Sequence, residues 1–130
     1  MNINIGDIVH LKNCENNTKG NRVTKFGIII YFTDSKIWCF YINSKNINYQ
    51  YSIEIDRKSQ NQDTHYVSCS KVFIHEKIDI THKSGNLGLD DLKRLQLHIL
   101  FDDDRITYSP RDKNIIKNCL DSEIIKYSND

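Results

Sequence analysis

No apolar run in this chain approaches the roughly 20 residues that a helix needs to cross a bilayer. The start, Met1-Asn2-Ile3-Asn4-Ile5-Gly6-Asp7, lacks both the basic opening and the apolar stretch of a secretory leader. A cytoplasmic protein with no membrane partner is expected. The four cysteines, Cys14, Cys39, Cys69 and Cys119, form no Cys-x-x-Cys pair. Their scatter speaks against a disulfide framework and for reduced thiols packed as small hydrophobes. Charge of one sign is also missing: 18 Lys and Arg against 17 Asp and Glu leave a net charge of +1. That balance neither supports nor excludes nucleic acid, because lysines can gather on one face of a near-neutral molecule. There is no internal repeat and no low-complexity linker. Either half of the 130 residues would be too small to bury a useful core, so one domain over 1–130 is expected.

What is present is a folding pattern. A hydrophobic fraction of 38% with 27% charged residues is that of an ordinary globular chain, not a disordered one. Gly6-Asp7 is a turn signal before a short strand, Ile8-Val9-His10-Leu11. From Lys12 to Lys25 almost nothing is apolar, which predicts a long exposed loop. Gly27–Phe32 and Ile37–Ile42 are rich in β-branched and aromatic residues and are expected to pair across Thr33–Lys36 as a central hairpin. Their near-continuous apolarity predicts burial on both faces, as in a rolled barrel or a sheet covered by a helix or a second subunit. Tyr51–Asp56 alternates as a half-exposed strand, and Tyr66–Ile74 resumes the β pattern after a polar loop. Leu89, Leu92, Leu95 and Ile99 then switch to helical spacing, with Asp90 and Asp91 at the favourable end of the dipole. Ser109-Pro110 is a helix start, and Ile115, Ile116, Cys119, Leu120 and Ile124 supply one apolar face to a final helix over about 110–127.

The order of these elements, together with several short strings, resembles the MazF/PemK-like toxins. Ile5-Gly6-Asp7-Ile8-Val9 is similar to the family's first strand, and Lys25-Phe26-Gly27-Ile28-Ile29-Ile30 to its Arg-Pro loop end and the apolar strand after it. Tyr41-Ile42-Asn43-Ser44 is similar to the strand that ends in Thr or Ser. Ser52–Asp56, Tyr66–Val72 and Gly85–Leu92 follow in the family's order, so the resemblance covers about residues 5–101, with the last helix additional. It implies an α+β fold, mainly β: a small SH3-like curved antiparallel β-barrel, then a C-terminal helix and one additional terminal helix. It also implies a metal-independent endoribonuclease that needs no cofactor, acts on single-stranded RNA, pairs as a homodimer and is blocked by a cognate antitoxin protein.

On this resemblance the family's catalytic arginine falls at Lys25, its proline at Phe26, and its threonine or serine at Asn43 or Ser44. Metal-free RNA cleavage drives the 2′-oxygen onto the neighbouring phosphorus. It needs a base, an acid for the leaving 5′-oxygen and a cation over the phosphate oxygens. Lysine keeps the charge of arginine but loses the bidentate fork, and Arg22, in the same polar stretch, is the second candidate for the cation. The bland alternative makes Arg22 and Lys25 solvated loop charges. Adjacent strand positions face opposite ways, so only one of Asn43 and Ser44 can serve. His65 is a candidate proton-transfer group, with a surface histidine as the alternative. Lys19, Lys45, Tyr49 and Tyr51 are the candidate RNA contacts, the tyrosines by stacking on unpaired bases. His75, Asp79 and His82 suggest a metal by spacing alone, but no fourth ligand stands at a familiar distance, and no metal is expected.

Two functions follow: a toxin that cleaves RNA, or a catalytically inactive module of the same shape that binds RNA or a protein partner. A third, weaker reading has the last helix covering and regulating the groove.

Overall fold

The computed structural model describes residues 2–15, 22–43, 52–55, 65–101 and 106–129. Its centre is the hairpin of β2 (Arg22–Phe32) and β3 (Lys36–Asn43). Side chains of a strand alternate between faces, and here both faces are buried. Ile28, Ile30, Phe40 and Ile42 point to one side, where they meet Leu92, Leu95, Ile99, Ile116 and Leu120 of the two helices. Ile29, Ile37, Cys39 and Tyr41 point to the other, packing with Val9, Leu11 and Cys14. The continuous apolarity of the hairpin thus has the cause expected of it, a sheet with an apolar layer on each side.

Five further strands complete an antiparallel sheet in the order β4-β5-β3-β2-β1-β7, with β6 also on β3. They are β1 (Asp7–Glu15), β4 (Ser52–Ile55), β5 (His65–Ser68), β6 (Phe73–Glu76) and β7 (Ile80–Asn86). A 3-10 turn, Lys77–Asp79, joins the last two. Helices α1 (Leu89–Phe101) and α2 (Pro110–Ser128) follow. The expected α+β, mainly β, chain with two terminal helices is what is found. Among the described residues no ladder joins β4 to β7, so none closes the curled sheet into a barrel. Gly27 lies where its neighbours crowd the strand. A Cβ placed there would come within 3.0 Å of Leu11 Cδ1 and 3.1 Å of the Cys39 sulfur; a strand position without a side chain lets its neighbours fold inward.

Three features depart from the sequence reading. The expected loop from Lys12 to Lys25 is mostly strand: β1 runs on to Glu15 and β2 begins at Arg22, paired as Leu11 with Lys25 and Cys14 with Val23. A bulge between Leu11 and Cys14, with Asn13 at φ 61°, shifts the alternation and hides the strand from a period of two. Lys25 and Arg22 therefore stand on a paired strand rather than on a pliable loop. The run Tyr66–Ile74 is two strands, because β5 pairs with the end of β3 and β6 with its start. Ser68 still pairs with Ser52 of β4, and from there to Val72 the chain leaves the ladder of β3, in which only Phe40 and Tyr41 separate the two pairings. Finally, β7 is an edge strand, with its residues from Thr81 to Asn86 exposed and no apolar alternation to announce it.

Helix α2 starts as expected, with the Ser109 hydroxyl accepting from the Asp112 amide at 3.1 Å and Pro110 in the first turn. It packs on α1 and β2 of its own chain, and Ile116 and Leu120 are fully buried. The helix is thereby part of the core on the helical side of the sheet. No described helix is long and apolar enough to cross a membrane.

All four cysteines are free thiols, with Cys14, Cys39 and Cys69 buried and Cys119 partly exposed. Burial pushes the Cys14, Cys39 and Cys119 thiols up, and the thiolate is the reactive form. At pH 8 the native protein is expected to react with a maleimide at Cys119 first, the other three labelling only on unfolding. Peptide mapping by mass spectrometry after a short exposure reads this, and early labelling of Cys39 would contradict it.

Candidate functional site

The face turned away from the helices carries a cleft of about 610 Å³, lined by residues of β1, β2, β3, β6 and the 3-10 turn. Its formation follows from β3. Ile37, Cys39 and Tyr41 share one face of that strand, and pairing Cys39 with Phe73 and Ile37 with His75 brings β6 alongside. The Tyr41 ring stacks on Phe73, with centroids 3.8 Å apart. This lays the phenol along β6 and carries its hydroxyl to within 2.7 Å of His75 Nε2. Both side chains are nearly buried, at 3% and 8% exposure, so their polar atoms have to be met inside the protein.

The other nitrogen of His75 faces a carboxylate, Nδ1 standing 3.9 Å from Asp79 Oδ2. A negative charge on that side favours the proton on Nδ1, leaving Nε2 to accept from the Tyr41 hydroxyl. Asp79 is held in turn by Asn13, whose side-chain amide donates to Oδ1 at 3.1 Å. The bulge in β1 turns Asn13 that way, and it also offers the Asn13 carbonyl to Arg22 Nη1 at 3.3 Å. Lys25, one turn of the ladder further in, holds its ammonium 5.0 Å from the centre of the Tyr41 ring. Arg22, Lys36 and Lys71 give the cleft positive charge, and Lys36 lies 3.7 Å from Glu76, its cross-strand neighbour on β6. Beneath them the Cys14 thiol is pushed up by burial, an effect partly offset by the Tyr41 hydroxyl and Lys25.

Asn13 sits at the left-handed backbone position, where a side chain with a Cβ costs about 1–2 kcal/mol unless it bonds locally. Asn13→Ala is expected to lose both that tolerance and the bond to Asp79, whereas Asn13→Gly loses only the bond. Urea unfolding should therefore place the alanine variant about 1 kcal/mol below the glycine variant. The reverse order would show that the bulge does not constrain this residue.

Of the residues singled out from sequence, Arg22 lines the cleft and Lys25 stands over one of its walls. Asn43 and His65 are placed by their backbones alone: Asn43 ends β3 opposite Tyr66, and His65 opens β5 opposite Ile55. Since Phe26 pairs with Ile42, Lys25 and Asn43 are the next residues along the same ladder. Ser44, Lys19, Lys45, Tyr49 and Tyr51 lie outside the described residues. The metal spacing splits. His75 and Asp79 are together, but His82 stacks on His10 with centroids 4.9 Å apart. Among the described residues, no group of three His, Cys, Asp or Glu side chains is arranged to hold a metal. The sequence reading missed His75, Asp79 and Asn13 as one cluster with Tyr41. Extending the β pattern past Ile74 would have placed Phe73 and His75 on one inward face.

The fold and cleft define a class: a curled antiparallel sheet backed by two helices, with a polar, partly cationic cleft on the opposite face. No family model matches the chain, and no curated protein matches it.

Proposed function

We propose that this chain is a metal-independent endoribonuclease of the MazF/PemK-like type, cleaving single-stranded RNA by attack of a ribose 2′-hydroxyl on the adjacent phosphodiester. What supports the reading most is a cleft that Arg22 lines together with Tyr41 and His75, with the Lys25 ammonium over the Tyr41 ring. A cation beside proton-transfer groups is what phosphodiester transfer without a metal requires. On this reading the protein is the toxin of a toxin–antitoxin pair. It acts in the cytoplasm as a homodimer, with the cognate antitoxin occupying the cleft.

A single-stranded oligoribonucleotide in excess chelator tests the proposal. The expected products end in a 2′,3′-cyclic phosphate and a 5′-hydroxyl, with DNA of the same sequence untouched. RNA left intact at high protein concentration sinks it. A non-catalytic binding module is the second reading, favoured by Glu76 and Asp79, whose carboxylates share the cleft with the cations and suit a peptide of mixed charge. Tight binding without turnover, and no growth arrest on expression, would select it.

A further inference from the structure

Tyr41 is built into the cleft differently from an ordinary core tyrosine. Its ring is fixed on Phe73, its hydroxyl meets an imidazole that is itself almost fully buried, and that imidazole has a carboxylate behind it. The carboxylate is oriented by an amide from the neighbouring strand. A tyrosine required only for packing has no need of a histidine and an aspartate arranged in series behind its oxygen. A buried histidine needs a partner for each ring nitrogen, and here those partners are a carboxylate and a phenol. The phenol is the member of this series closest to Lys25, whose charge lies over the ring.

We propose that Tyr41, His75 and Asp79 form a proton relay that activates the ribose 2′-hydroxyl of a phosphodiester held in this cleft by Arg22, with the Lys25 charge beside the phenol. The inference rests on the ribonuclease reading and adds the acid–base groups. As the 2′-oxygen attacks phosphorus, its proton passes to the Tyr41 oxygen while the phenolic proton passes to His75 Nε2. The imidazolium so formed faces the Asp79 carboxylate. The new O2′–P bond forms as the P–O5′ bond breaks. The departing 5′-oxygen takes a proton from a water in the open mouth of the cleft, and the hydroxide left behind is neutralised by the imidazolium proton. Every group returns to its starting state, and no metal or oxidant enters the balance. Tyr41 is the catalytic residue; His75 and Asp79 act through it and are positioning residues.

The test uses the full chain and a single-stranded oligoribonucleotide in chelator, with a thermal melt of each variant. Tyr41→Phe keeps the ring on Phe73 and removes only the hydroxyl. It is expected to lower kcat by about 10²- to 10⁴-fold with KM nearly unchanged, whereas Arg22→Ala should act mainly by raising KM. His75→Gln should abolish the acid limb of the kcat/KM profile, a change that a purely structural role would not produce. Should the buried glutamine prevent folding, Asp79→Asn on the 3-10 turn serves instead, expected to lower kcat and displace that limb. If Tyr41→Phe cuts RNA at the wild-type kcat, or the profile survives in the folded His75 or Asp79 variant, the relay is wrong and the ribonuclease reading stands. If the wild-type chain cuts no RNA, both are wrong.

Discussion

Leu120→Ala is expected to lower the free energy of unfolding by about 2–5 kcal/mol, the range for emptying a fully buried leucine site. Leu120 is completely buried, in contact with the layer that includes Ile28, Ile30 and Phe40 of the central hairpin. A domain of this size has about 5–15 kcal/mol in total, so one methyl-bearing branch of the last helix carries a large share. Removing residues 106–130 altogether takes away Ile116 and Leu120 together and leaves the helical face of β2 and β3 to α1 alone. That shortened chain is expected to lose its cooperative thermal transition and to aggregate. A truncated protein that melts sharply near the full-length temperature would show that the helix is an accessory.

The second large effect concerns Lys25. Lys25→Met keeps an unbranched stem against the Tyr41 ring but removes the ammonium, and it is expected to reduce kcat/KM on RNA by about 10²- to 10³-fold, the usual loss for one preorganised charge-stabilising donor. Lys25→Arg restores a planar fork suited to phosphate and is expected to cut at least as fast as the wild type. Comparing the melting temperatures separates this from the ring contact, whose contribution is about 0.5–2 kcal/mol. A methionine variant that cleaves normally would remove Lys25 from the chemistry.

The legible part of the fold lay where one physical signal dominated. Ile28-Ile29-Ile30 and Ile37–Ile42 were expected to be strands buried on both faces, and Ser109-Pro110 to open a helix. The signal failed where two effects overlapped. At Asn13 a left-handed residue reverses the alternation, so Val23 and Cys14 look like stray apolar residues in a polar loop although they face the same layer. Around Cys69 to Val72 the chain leaves β3 and returns to it, and an uninterrupted β pattern carries no mark of that detour. The cleft was half legible. Arg22, which lines the cleft, was singled out from its place before the isoleucines, but Tyr41 and His75 are 34 positions apart and Asn13 and Asp79 are 66 apart. Only the pairing of β6 with β3, and of β1 with β2, brings those groups together, and neither pairing is written in local composition.

The double covering of the hairpin has a consequence for motion. Any fluctuation that bares the amides of Ile28–Ile30 or Cys39–Tyr41 must part the helices from one side and β1 with its thiol from the other. No small excursion does both. Those amides should take up deuterium only when the whole molecule opens, with an exchange free energy equal to that of complete unfolding, while the outer edge of β7 exchanges through local fraying. The cleft is thus anchored at β3 to the slowest-opening part of the protein and bordered by faster ones.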